Sequence, residues 1–289
     1  MKKVALVTGA TSGIGRALVE LLMKEKIHVI AVARNEDRAK QVQESLASLK
    51  VEVSLDFVIG DFKNNQTTKK VSEDISKLII TKYDGKLDIL MNVAGIVSSG
   101  YHENEDGNEV TFAVNHLSPY ILTYYMIPFL KVSNDPYVLV VSSLSHYRAS
   151  INWNNIQNKK FYNILKAYKR SKLYNVFFVK ALAHMFPEIK TYAIDPGLVK
   201  TEIGLKNTSK LAAFVWKLRI SSGTDAYYPT KFMVDIVTQK GNLAPSGSYM
   251  KEGHAIQSNP ITYEMSHAEK VMDYSATLTG LSYQKFANK

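Results

Sequence analysis

The 289-residue chain contains no cysteine. That absence excludes a disulfide framework, a zinc thiolate centre and a thiol nucleophile, and it removes any need for an oxidising compartment. A reducing interior such as the cytoplasm is the expected home. Histidine is sparse, with seven in the chain. None falls in an H-E-x-x-H pattern or in a pair at helical separation, so no metal site is expected. Long apolar runs are missing too, and nothing approaches the roughly 20 residues that a membrane span requires. The opening "MKKVALVTGATSGIG" faintly mimics a signal peptide, but its apolar run is short and breaks into glycines. A soluble or peripheral protein is the expectation. There is no internal repeat, low-complexity tract or Pro/Gly/Ser-rich linker, which points to a single domain spanning 1–289.

What is present is ordinary globular composition, 46% hydrophobic and 21% charged, enough for a sizeable core. A net charge of +10 suggests an anionic partner: nucleotide phosphates, nucleic acid or membrane headgroups. The basic residues are dispersed and no nucleic-acid motif accompanies them, so nucleic acid is set aside.

Six apolar runs of strand length recur along the chain: "KVALVTG", "HVIAVAR", "VSLDFVIG", "LDILMNVAG", "YVLVVSS" and "KTYAIDPG". Helix-period segments separate them. This alternation is the mark of βαβ units, and therefore of an α/β fold with a doubly wound parallel sheet covered on both faces. Each strand is followed by Gly, Ser, Asn or Asp, so the polar, turn-forming chemistry collects at the strands' carboxyl ends, where open α/β sheets bind ligands.

The first of those ends is the most informative. "VTGATSGIG" sets Gly9, Gly13 and Gly15 between a strand and the helical run "RALVELLMKE". A glycine-rich turn that feeds a helix N-terminus offers unhindered N–H groups and a favourable dipole to a diphosphate. NAD-binding turns carry an acid about 20 residues on, to take the ribose hydroxyls. Here Ala33 closes the second strand and Arg34 follows it. A guanidinium suits a phosphate, which favours NADP(H) over NAD(H). Glu36 and Asp37 have a structural explanation in the first turn of a helix capped by Asn35. Asp61, after the third strand, is placed either to touch the adenine or to serve as a plain turn aspartate.

Tyr168 and Lys172 are four apart in a helical stretch and share one face. A Tyr/Lys pair at this spacing arises easily by chance, but its company does not. Ser142 and Ser143 end one strand, Asn92, Ala94 and Gly95 end another, Asn115 lies in the intervening helix, and "IDPGLVKT" closes the sixth strand.

On these motifs the chain resembles the short-chain dehydrogenase/reductase family along nearly its whole length. The family's T-G-x-x-x-G-x-G matches Thr8 to Gly15, its Asn-Ser-Tyr-Lys tetrad matches Asn115, Ser143, Tyr168 and Lys172, and its P-G-x-x-x-T matches Pro196, Gly197 and Thr201. One departure stands out. The family's N-N-A-G reads N-V-A-G here, and Val93 is expected to loosen a local hydrogen bond without removing a reactive group. The long insertion between Ser143 and Tyr168, together with "FAVNHLSPYILT" and "AEKVMDYSATLTGL", resembles the retinol dehydrogenase-like branch.

The resemblance implies a Rossmann-type single domain with a flexible substrate lid. It assigns cofactor contacts to Gly9, Thr11, Ser12, Gly13, Ile14, Gly15, Arg34, Asp61, Phe62, Asn92, Ala94, Gly95, Tyr168, Lys172, Pro196, Gly197, Val199 and Thr201. It implies that Tyr168 exchanges a proton with the substrate oxygen while Ser143 hydrogen-bonds that oxygen. Lys172 would hold the nicotinamide ribose, and Asn115 would anchor a water. A free tyrosine, with a pKa of about 10, is a poor base. An ammonium at about 4 Å and an effective dielectric near 20 would contribute roughly 4 kcal/mol to the phenolate. The implied activity is hydride transfer between NADP(H) and a small apolar alcohol or carbonyl compound, retinoid-like, steroid-like or a simple aldehyde or ketone. The alternative is a non-catalytic NADP(H)-sensing regulator on the same fold, which would not need the whole tetrad.

The lid is expected at about 204–223, where "SKLAAFVWKLRI" mixes Phe214, Trp216 and Leu218 with Lys210, Lys217 and Arg219. Its composition favours a cover over a hydrophobic substrate above a peripheral membrane contact. His146, Tyr147, Tyr101 and His102 lie on loops that should border the substrate mouth, with packing roles equally open. The family also makes a homodimer through the helices of Asn115 and Tyr168 an open reading.

Overall fold

The computed structural model describes residues 2–199, 223–240 and 244–287. Most of the expected lid, and Thr201 with it, lies outside the described residues. The six apolar runs are the strands β1 (Val4–Val7), β2 (His28–Ala33), β3 (Leu55–Ile59), β4 (Ile89–Asn92), β5 (Tyr137–Val141) and β6 (Lys190–Asp195). Their valines and isoleucines suit a pleat buried on both faces, and every residue of β1, β4 and β5 is buried. Among the described residues these strands join β7 (Tyr249–Lys251) and β8 (His254–Ile256) in one sheet of order β3-β2-β1-β4-β5-β6-β7-β8. All neighbours are parallel except β7 and β8, which form a hairpin. The order reverses next to β1, between the ends of β1 and β4, where a doubly wound sheet opens a crevice.

Helices fill both faces. On one side α1 (Gly13–Lys24) and α2 (Glu36–Leu46) bring Leu18, Val19, Leu22, Val42 and Leu46 against the sheet, and α7 (Tyr227–Val237) adds Met233, Val234 and Val237. On the other side lie α3 (Asn65–Lys82), the short α4 (Val110–Phe112), α5 (Ser118–Leu130) and α6 (Ile164–Met185). Helix α5 is apolar nearly all round because it is enclosed nearly all round. The reason is a third layer. The C-terminal α8 (Met265–Thr279) and the residues after it lie across α3, α5 and α6. The Tyr120 hydroxyl donates to the Leu281 carbonyl and the Tyr283 hydroxyl donates to the Tyr120 carbonyl, each at 2.6 Å. Among the described residues no helix is long and apolar enough to cross a membrane.

Candidate active site

Each strand's carboxyl end delivers its expected residues to the same edge of the sheet. After β1, Gly9 turns with φ +66° and Gly13 with φ +51°, a region that disfavours side chains. A Cβ on Gly9 would lie 3.1 Å from the Ala94 Cα, and one on Gly15 would overlap the Gly9 carbonyl. The loop is therefore a cradle closed against α1 and the β4 loop. Ser12 precedes α1 without capping it through its side chain, Thr11 lies in the same turn, and Gly13 and Ile14 open the helix. Thr8 Oγ1 accepts from the N–H groups of Val93 and Ala94 at 2.9 and 3.0 Å, tying β1 to β4. Val93 thus keeps its main-chain bond, and its side chain packs against the core. These features fit a dinucleotide's diphosphate.

Arg34 is exposed just past β2, and among the described residues no acid pairs with it. Asn35 caps α2 by accepting from Arg38 N at 3.0 Å, with Glu36 and Asp37 in the first turn, as local helix chemistry predicts. Asp61 Oδ1 accepts from Phe62 N at 2.7 Å, the behaviour of a turn aspartate, and Phe62 is buried in the core with its carbonyl held by Ser118. The Asn92 amide donates to Thr123 at 3.1 Å inside the fold.

Asn115 sits in a π turn, Ala113–Leu117, between α4 and α5. Such a turn widens the helix by one residue and often marks a functional position. Its Nδ2 donates to Ile96 O and Ser171 Oγ, both at 3.0 Å, and its Oδ1 accepts from Ile96 N at 2.8 Å. A Cβ on Gly95 would come within 3.2 Å of Asn115 Oδ1 and 3.6 Å of Lys172 Nζ, so the glycine lets this loop pass close to both side chains. Lys172 is bolted to the end of β5. Its Nζ donates to Val141 O at 3.0 Å, and its own carbonyl accepts from Ser142 Oγ at 2.8 Å. Burial lowers its pKa to about 8. The ammonium lies over the half-buried Tyr168 ring, 5.7 Å from its centroid, as the i, i+4 spacing on α6 requires.

Ser143 opens a 3₁₀ turn, Leu144–Arg148, and its Oγ accepts from Ser145 N at 3.2 Å. His146 is fully buried rather than lining the mouth. Its Nδ1 bonds Ser143 O at 2.7 Å and its Nε2 accepts from Asn259 N at 3.1 Å, while burial lowers its pKa. Leu144 and Tyr147 are exposed beside it, as is Leu198 beyond Gly197. Tyr101 bonds Glu103 and packs against Tyr162, and His102 is exposed.

Two residues absent from the sequence reading hold the long insertion in place. Arg170 donates to Ser150 O, Asn155 O and Asn158 Oδ1 at 2.8, 3.0 and 2.6 Å. Asn259 Nδ2 reaches the carbonyls of His146, Tyr147 and Ala149 at 3.2, 3.1 and 3.0 Å. No local signal marks Asn259, whereas an arginine two residues past Tyr168, on another face of the helix, could have been read as an anchor. At the sixth strand, Gly197 turns with φ +70°, its N–H donating to Asp195 Oδ1 at 2.9 Å. Pro196 lies beside it, and Val199 bridges Thr224.

Known proteins are similar to this chain in sequence and in fold. The short chain dehydrogenase family model matches residues 3–212. Retinol dehydrogenase 12 of Mus musculus is 32% identical over 291 aligned positions, covering 98% of this chain and 88% of its own. Among solved structures, a 3-ketoacyl-(acyl-carrier-protein) reductase from Brucella melitensis complexed with NADH superposes with TM-score 0.64 at 20% identity, covering 86% of this chain and 96% of its own. A short chain dehydrogenase from Shigella flexneri 2a complexed with NADP gives 0.64 at 19% identity, over 87% and 97%.

Proposed function

The chain belongs to the short chain dehydrogenase family, on its retinol dehydrogenase-like branch, and we propose that it moves hydride between NADP(H) and an apolar alcohol or carbonyl compound. Membership itself makes it an oxidoreductase with a nicotinamide cofactor and a small-molecule substrate. The observation that supports the finer reading is how three elements are tied together at one end of the sheet. Lys172 lies over the Tyr168 ring on α6 and bonds Val141 at the end of β5, two residues before Ser143, while Asn115 in the π turn bonds Ser171 on α6.

The nicotinamide supplies or receives the hydride. Tyr168 gives its phenolic proton to the substrate oxygen in reduction and takes one in oxidation. Lys172, with a pKa of about 8, is mostly protonated at pH 7, and its buried charge favours the phenolate. Ser143 donates its hydroxyl proton to the same oxygen and stabilises its charge. Asn115 acts chiefly by holding the Ile96 loop, since both its Nδ2 protons are used and one lone pair of Oδ1 remains for a water. The exposed Arg34 supports NADP(H), and the apolar Leu144, Tyr147 and Leu198 around the mouth support an apolar substrate. NADP(H) in turn favours reduction in a reducing compartment.

The α5/α6 surface through which a homodimer was open to expectation is covered by α8 and the residues after it. This supports a chain that works as a monomer, and light scattering at a mass near 32.4 kDa checks it.

The function is tested by following NADPH and NADH consumption against carbonyls from small aromatic aldehydes to retinal and ketosteroids, with Tyr168→Phe and Arg34→Ala alongside. NADPH-preferring consumption that vanishes in Tyr168→Phe, and loses its preference in Arg34→Ala, is the expected result. Tight NADPH binding with no consumption of any member of the panel would favour the non-catalytic sensor.

A further inference from the structure

Two buried polar atoms beneath the site end without a hydrogen-bond partner: Oδ2 of Asp195 and the hydroxyl of Tyr249. The residues are 3% and 2% exposed. A buried orphan is unfavourable, more so when charged, so two together call for an explanation. They are complementary, because a carboxylate only accepts and a phenol can donate. Their placement is complementary as well. Tyr249 pairs with Ala193 across β6 and β7, and Asp195 follows two residues on, so its side chain leaves the sheet on the same face as that of Ala193. That face is the one under α6, since Ala193 and Tyr249 both belong to the core cluster there. The Asp195 carboxylate stands close enough to raise the Tyr249 pKa, second only to burial itself.

Each member is tied to a different half of the site. Asp195 Oδ1 accepts from Gly197 N at 2.9 Å, which holds the Pro196–Gly197 turn. The Tyr249 ring lies 4.4 Å from the His146 ring. Because Asn259 N–H occupies the His146 Nε2, the Nδ1 carries the proton and donates it to Ser143 O at 2.7 Å. A continuous path therefore runs from the Gly197 turn through Asp195, Tyr249 and His146 to Ser143.

We propose that Asp195 and Tyr249 are a coupled pair of positioning residues: the phenol steadies the carboxylate that holds Gly197, and its ring supports His146 beneath Ser143. Neither touches the reacting atoms. Without the hydroxyl, the buried carboxylate lacks its neighbouring donor and is relieved by opening the Gly197 turn to water. The kinetic consequence rests on the function proposed above, whereas the coupling itself does not.

The test is a double-mutant cycle of Tyr249→Phe and Asp195→Asn in the full chain, read by amide hydrogen exchange at Gly197 and by kcat and KM on the best carbonyl of the panel. Tyr249→Phe keeps the ring and is expected to speed exchange at Gly197 and lower kcat, each roughly tenfold, with KM changed less than about twofold. In the Asp195→Asn background, whose neutral amide needs no such donor, adding Tyr249→Phe is expected to change neither. Additive effects, or unchanged exchange at Gly197 in Tyr249→Phe, would overturn the pair. Exchange needs no turnover, so an inactive wild type would refute the enzymatic reading alone and leave exchange to decide the coupling.

Discussion

The carboxamide of Asn115 binds both main-chain groups of Ile96, accepting from its N–H at 2.8 Å and donating to its carbonyl at 3.0 Å. The same Nδ2 reaches Ser171 Oγ, whose proton goes to Tyr168 O at 2.8 Å. One side chain thus joins the loop after β4 to the helix of Tyr168 and Lys172. Asn115→Leu is expected to lower stability by about 2 kcal/mol or more in urea unfolding, since it strands buried partners. It should also lower turnover further than the stability loss accounts for. Wild-type unfolding and rate would show that the clamp is idle.

Tyr168→Phe is expected to lower kcat by about 10²–10⁴-fold, the usual reach of a general acid, while NADPH binding by fluorescence changes less than about threefold. Lys172→Ala should damage both, because it removes a charge near the phenol and a bond to Val141. A Tyr168→Phe enzyme with wild-type kcat would remove tyrosine from the mechanism.

Gly15→Ala places a methyl group on the Gly9 carbonyl, backbone against backbone, with no flexible side chain to yield. Calorimetric titration should show NADPH affinity reduced by about tenfold or more, the size of a 1.4 kcal/mol strain. Unaltered affinity would mean that the loop does not carry the diphosphate.

His116 is wholly buried among Phe112, Tyr174 and Phe178, and burial lowers its pKa to about 4. The folded state therefore binds this proton more weakly than the unfolded state, whose histidine titrates near 6.5. Stability is fully present above that value and falls as pH drops from 6.5 towards 4, by about 3 kcal/mol at the lower end. Urea unfolding from pH 7.5 to 4 should show this slope, reduced in His116→Gln. An equal slope in the variant would assign the loss elsewhere.

Six strands were readable because parallel strands buried on both faces leave continuous apolar runs, as in "YVLVV". The glycine loop was readable because φ above zero and close backbone approach both select glycine. By contrast, β7 has three residues and shows no period, although the Glu252–Gly253 turn that joins it to β8, with φ +50° and +80°, carries a hairpin's residue preference. For His146, on a loop at the mouth, sequence left packing and substrate contact both open, and it is a buried brace. The deciding partner is Asn259, which comes from 113 positions away.

Local chemistry alone therefore settles the βαβ order, the cradle after β1 and the Tyr168–Lys172 face, since period and turn preference act over a few neighbouring residues. Chain folding across long separations settles the rest. It seats Lys172 Nζ on Val141, turns Asn92 inward to Thr123, lays the C-terminal helix over α5 and α6, and sets Asp195 beside Tyr249. Burial and partner choice depend on which distant segments meet, and no short stretch of residues encodes that meeting.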